Sequence, residues 1–145
     1  SRVPFVKQLM SLASKSANDN GQVRTILGRI CHFDLWEPTK WGVHKALPRD
    51  EAIRKYGSNL KRAFIYKALN KLIQGSAADQ TKKAMIEVYK AGIIPHIQVH
   101  DELNCSCLDE KQINMIKDIM ENCIELEVPS KVDPKIGDSW GTIKN

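Results

Sequence analysis

Aromatic residues are scarce. Phe, Tyr and Trp together make up 6% of the 145 residues, too few for a nucleic-acid platform rich in stacking side chains. No apolar run approaches the roughly 18 residues that a membrane-spanning helix requires, so a helical membrane protein is excluded and no membrane partner is expected. No secretory leader is visible. The four cysteines, Cys31, Cys105, Cys107 and Cys123, form no C-x-x-C pair, and no His stands at zinc-module spacing from them. With 42% apolar residues, a chain of this length needs no disulfide framework, and reduced thiols in an intracellular, cytoplasmic protein are expected. Around Gly75 the lysine of G-x-x-x-x-G-K-[ST] is missing, which excludes a phosphate-binding loop of that kind.

What is present reads as one globular domain. Lys and Arg number 22 against 17 Asp and Glu, a net charge of 22 − 17 = +5. The chain opens on Ser1, and Val3, Phe5, Val6, Leu9, Met10 and Leu12 already lie on one side of a helix expected over residues 2–19. An apolar helix with no visible N-cap suggests a start inside a larger protein, so 1–145 is expected to be a fragment. Asn18-Asp19-Asn20-Gly21 should stop that helix, and residues 22–29 form a β-rich run broken at Gly28. Residues 31–58, with Trp36, Pro38, Trp41, Gly42 and Pro48, read as an irregular insertion.

Beyond it helical signals dominate. Ser58 or Asn59 can cap a helix to about Ile73, with Leu60, Phe64, Ala68 and Leu72 as its buried side. Gly75-Ser76 should interrupt or bend it. A second helix from about Ala77 to Lys90 carries Ala78, Met85, Ile86 and Tyr89. Residues 93–99 and 103–108 read as two strands around a His100-Asp101-Glu102 tip, 109–125 as an amphipathic helix, and 128–136 as one more strand. The fold class that follows is α+β: a small antiparallel sheet, the acidic hairpin included, packed against several helices.

Three constellations carry possible chemistry. Asp101 and Glu102, adjacent at a short bend, repel each other, and a divalent cation relieves that repulsion. Magnesium suits them, because it takes one or two carboxylates and completes its shell with phosphate oxygens and water. A solvated hairpin turn is the plainer alternative. Arg62, Tyr66, Asn70 and Gln74 recur every four residues, as along one helix face, with Lys61, Lys67 and Lys71 beside them. Arg, Asn and Gln can donate to the minor-groove acceptors that every base pair shows, while lysines neutralise phosphates. A solvated helix face again competes. Finally, the small residues 75–78 allow another element to approach closely, and Asp79 suits a helix start.

In order and rough spacing, three stretches resemble the C-terminal part of family A DNA polymerases, the bacterial polymerase I and phage replicase type. They are Gly21-Gln22-Val23-Arg24-Thr25-Ile26-Leu27-Gly28-Arg29, Asn70-x-x-x-Gln74-Gly75-Ser76-Ala77-Ala78-Asp79, and Gln98-Val99-His100-Asp101-Glu102-Leu103. Gly137-Asp138-Ser139-Trp140 is similar to the family's closing strand and terminal Trp, and the 31–58 insertion looks phage-like. The resemblance implies a palm-like fold with part of the fingers, and a template-directed DNA polymerase with a two-metal Mg2+ site. It implies Asp101 as the metal-binding aspartate of motif C, Glu102 as its acidic neighbour and His100 beside the primer terminus. Asn70 and Gln74 would contact the primer–template in the minor groove, and Arg29 its backbone. Tyr66 stands where the family usually has Arg, with Arg62 one turn earlier as a candidate replacement; Ile30 and Cys31 follow Arg29 where a longer basic run is usual.

The second essential Asp of the family belongs to an earlier motif, so the metal site would be completed by an Asp outside this chain. The implied partners are primer–template DNA, deoxynucleoside triphosphates and the N-terminal remainder of the polymerase, and the isolated chain is expected to be inactive. Two other readings stay open: a non-catalytic duplex-DNA-binding module that uses the basic ribbon, and a globular interaction domain with an acidic hairpin by chance.

Overall fold

The structure, a computed structural model, describes residues 5–143. Its elements in chain order are α1 (Val6–Asn20), β1 (Gln22–Arg24), β2 (Ile30–His32), β3 (Leu35–Pro38), β4 (Leu47–Pro48), α2 (Arg49–Tyr56), β5 (Leu60–Arg62), a 3-10 turn Ile65–Lys67, α3 (Ala68–Lys90), β6 (Pro95–Val99), β7 (Glu102–Cys105), α4 (Glu110–Asn122) and a 3-10 turn Trp140–Thr142. This is the α+β class expected, with three small antiparallel sheets: β1-β2, β4-β3-β5 and β6-β7. The chain divides into two compact units, Ser1–Ser76 and Ala77–Asn145, and α3 runs through the division.

In the first unit, α1 ends where Gly21 takes φ 68, the left-handed conformation glycine adopts without a Cβ clash. Its contribution to the core is small. Ala13 and Ala17 pack with Val23, Phe33 and Ala68, and Cys31, Ile65, Leu69 and Leu72 close around them. Removing the Phe33 side chain from water stabilises the unit by about 2 kcal/mol. The apolar side expected for α1 is not buried here: Phe5, Val6, Leu9, Met10 and Leu12 are exposed, while Val3 lies outside the described residues. Alanines, not the larger side chains, let the hairpin approach the helix.

The helix expected from Ser58 to Ile73 does not form over its first half. Leu60, Lys61 and Arg62 are a strand instead, paired with Pro38, Glu37 and Trp36 of β3. Phe64 then turns the chain with φ 62, and α3 begins only at Ala68. A four-residue spacing of apolar side chains describes a helix face, but backbone pairing with a distant strand overrides it here. Within residues 31–58, expected as an irregular insertion, β3, β4 and α2 are regular, and 39–46 is the longest stretch without helix or strand.

Gly75-Ser76 does not break α3, which is continuous to Lys90 and ends at Gly92 with φ 85. Asp79 is therefore buried inside a helix and not at its start. In the second unit Ala84, Val88, Ile93 and Ile124 are buried, whereas Ile86 and Tyr89 are exposed. The amphipathic reading of α4 holds. Asp109 caps it by accepting from Gln112 N at 2.9 Å, and Ile113, Ile116, Met120, Cys123 and Ile124 fall on its less exposed side. Gln80 ties α3 to this region, its amide donating to Met120 O at 3.4 Å and Ser130 Oγ at 3.2 Å.

No strand forms over 128–136. Pro129 and Pro134 interrupt it, and the Val132 N–H, which a sheet would have used, donates to Glu121 Oε1 at 2.9 Å. The closing Gly137–Gly141 stretch likewise holds a capped 3-10 turn at Trp140, not a strand. No described helix is long and apolar enough to cross a membrane.

Candidate active site

The acidic hairpin is tight. Val99 pairs with Glu102, so the connection is two residues long, His100 and Asp101. Glu102 is thus the first residue of β7, not part of the bend. His100 has φ 52, a left-handed conformation that His tolerates better than most side chains. The Gln98 side-chain amide donates to His100 O, bracing the turn from within β6. Farther down, His96 is the extra residue of a bulge between the Pro95–Cys105 and Ile97–Asn104 pairs, which adds local twist.

His100, Asp101 and Glu102 are all exposed, and among the described residues no hydrogen bond or ion pair engages either carboxylate. The donor set is two hard oxygen ligands on consecutive residues, which suits magnesium sharing its shell with phosphate and water. No group of three or more His, Cys, Asp and Glu able to hold a metal occurs among the described residues, so a complete protein cage is not found there. Cys105 and Cys107 do not supply one. Burial first, then mutual charge, pushes the Cys105 thiol up; burial and the Asp109 carboxylate push Cys107 up, so both stay protonated near neutrality.

The basic ribbon is dismantled. Arg62 sits on β5, Tyr66 in the 3-10 turn, and only Asn70 and Gln74 share a face of α3, where both are exposed. The Arg62 guanidinium donates to Phe33 O at 2.8 Å and Asn18 O at 3.0 Å, and lies 4.6 Å from the centre of the Trp36 ring. It also fills the space beneath Gly21, where a Cβ would meet it at 2.8 Å. Arg62 therefore fastens the end of α1 to β3 and to the link that precedes it. Lys71 does similar work, its ammonium 3.1 Å from His32 O and 4.4 Å over the Phe33 ring.

The close approach expected at residues 75–78 is real, and its partner is the β1-β2 turn. A Cβ on Gly75 would meet Thr25 Cγ2 at 2.7 Å. Arg29 donates to Gly75 O at 2.7 Å, and the Ser76 hydroxyl accepts from Ile26 N at 3.1 Å while donating to Leu72 O at 2.8 Å. Arg29, expected as a DNA-backbone contact, is at least partly committed to this joint. The sequence reading missed both arginine anchors, and the signals were Gly21 and Gly75, each marking a point that a side chain cannot share.

Comparison with known proteins gives these features a common frame. The family model for DNA polymerase family A matches residues 1–142. A DNA-directed DNA polymerase of Pseudomonas phage M6 is 41% identical over 140 residues, covering 97% of this chain and 18% of that protein. A DNA polymerase I of Caldicellulosiruptor bescii is 37% identical over 150 residues, covering 96% and 15%. The solved POL domain of Pol1 from M. smegmatis, in complex with DNA primer-template and dNTP, superposes with a TM-score of 0.71 at 28% identity, covering 98% of this chain and 24% of that one. The chain thus spans less than a fifth of the length of these curated relatives. From its first described helix to its closing turn, this chain belongs to DNA polymerase family A.

Proposed function

We propose that this chain supplies one carboxylate side of a template-directed DNA polymerase centre, in which nucleotides are transferred to a primer 3′ end. The observation that carries the reading is the two-residue bend that presents Asp101 to solvent, with Glu102 next to it, in a chain of this family. Asp101 would hold Mg2+ and Glu102 would assist it. When bound, the two ions would activate the primer 3′ hydroxyl and stabilise the departing pyrophosphate. His100, held by the bend, would lie against the primer terminus. The exposed amides of Asn70 and Gln74 would donate to minor-groove acceptors, and Tyr66 would line the same duplex. Arg29 and Arg62 would act mainly by holding the frame, since both donate to backbone carbonyls.

Deoxynucleoside triphosphates and primer–template DNA are the partners this reading requires. A further Asp and the fingers side chains would come from the polymerase segments that the longer relatives possess. Asp101→Asn in the full enzyme should lower primer extension about a thousandfold, the loss of several kcal/mol of charge stabilisation, while DNA affinity stays within about threefold. Unchanged extension would defeat the proposal. No synthesis by either protein, with duplex binding intact, would favour the binding-module reading.

A further inference from the structure

Residues 39–46, between β3 and β4, form the tip of an arm that the reading above does not use. Trp41 and Val43 have relative exposures of 101% and 105%, the highest of any large apolar side chain described. A Trp left entirely in water contributes nothing to the packing of this chain, although its ring offers roughly 150–250 Å² of contact area. Its surroundings are of one sign: the charged residues over 39–49 are Lys40, Lys45 and Arg49, with no carboxylate among them. Lys40 and Lys45, one residue before and four residues after Trp41 in sequence, are exposed.

The tip is braced from below. Tyr56 of α2 donates its hydroxyl to Lys45 O at 3.2 Å, and its ring meets the His44 ring edge-on at 5.8 Å. Gly42, at φ 148, passes so close over His44 that a Cβ there would lie 3.0 Å from Nε2. Backbone support thus extends to the residues flanking Trp41, while the indole itself projects beyond them. A held backbone lowers the entropy that the tip would lose on meeting a partner.

The geometry points to a single-stranded DNA contact at this tip: an unpaired base stacks on Trp41 while Lys40 and Lys45 neutralise the phosphates on either side. Every base has a π-face, so the contact is indifferent to sequence, and an indole can stack only where that face is not already covered by a neighbouring pair. The lysines form no ion pair among the described residues, although Glu37, Asp50 and Glu51 stand just outside the tip, and they complement a polyanion and not an apolar protein surface. None of the residues assigned to nucleotidyl transfer takes part in this contact, which holds whether or not the chain takes part in synthesis.

Photo-crosslinking of the full chain to an oligothymidylate carrying one 5-iodouracil tests this. The adduct is expected on the tryptic peptide Trp41–Lys45, and the yield should collapse when the same iodouracil is placed inside a complete duplex. Trp41→Ala should weaken oligothymidylate binding about tenfold. Lys40→Glu with Lys45→Glu should flatten the slope of log affinity against log salt by about 1.4, two phosphate contacts on a single strand. Crosslinks that map elsewhere, equal yield on duplex, or affinity unmoved by Trp41→Ala would each overturn the assignment. Binding insensitive to both salt and the charge reversal would overturn it too, in favour of a protein partner for the tip.

Discussion

Charged side chains do two different jobs in the two units. In the first, three cations are committed to backbone carbonyls: Arg29 donates to Gly75 O, Arg62 to Phe33 O and Asn18 O, and Lys71 to His32 O. In the second, the acids of the β6-β7 hairpin face solvent, and among the described residues neither carboxylate has a hydrogen-bond or ion-pair partner, though backbone and Gln98 hold the bend itself. The difference separates frame from chemistry. A residue whose polar atoms already satisfy backbone carbonyls contributes to stability and has little left to offer a ligand. One held in place by its backbone, with its functional group in water, is available to bind.

The contrast can be broken most forcefully at Arg62. Arg62→Ala should destabilise the first unit by about 3 kcal/mol, since it leaves two carbonyls without a charged donor and removes the stacking on Trp36. Denaturant unfolding measures this, and a loss below about 0.5 kcal/mol would mean the arginine is a surface residue available to DNA. Asp101→Asn, by the same assay, should be nearly silent.

A smaller effect is expected at Gly75. A valine there forces Thr25 or its turn to move, because even a Cβ would stand 2.7 Å from Thr25 Cγ2. Overpacking of this kind costs about 1–3 kcal/mol, offset in part by the better helix propensity of any residue over glycine. Unfolding midpoints would show it, and unchanged stability would contradict the close approach of the β1-β2 turn to α3.

The mildest expected effect is on acidification in the second unit. The Val132 N–H holds the Glu121 carboxyl below its usual range, with Lys131 and Lys117 assisting. A carboxyl depressed in the folded state stabilises it above the ordinary carboxylate pKa, and that contribution is lost as pH falls through the depressed value. The Val132 amide resonance should therefore titrate with a midpoint below the ordinary value. A midpoint at or above it would show that the 128–136 segment is not held by α4.

Much of this was legible in the residues wherever the determinant was local. Strand-like runs on either side of His100-Asp101-Glu102 marked the hairpin, though not that Glu102 belongs to β7; the spacing of Ile113, Ile116 and Met120 marked α4, and small residues around Gly75 marked a close approach. What escaped depended on partners distant in sequence. Leu60 and Phe64 continued a helical period into Ala68 and Leu72, yet Lys61 and Arg62 pair with β3, so the ribbon through Arg62 and Tyr66 dissolved. Val132 was strand-like until its amide found Glu121. Among the site residues, Asn70 and Gln74 kept their shared helix face because both fall beyond the point where α3 begins.

Iron can take the place of magnesium and, with ascorbate and peroxide, cut the backbone beside the ion it replaces. On the full enzyme the account predicts cleavage at residues 100–102 that disappears in Asp101→Asn. Cleavage confined to other segments, or left intact by that substitution, would contradict the assignment of Asp101 as a metal ligand.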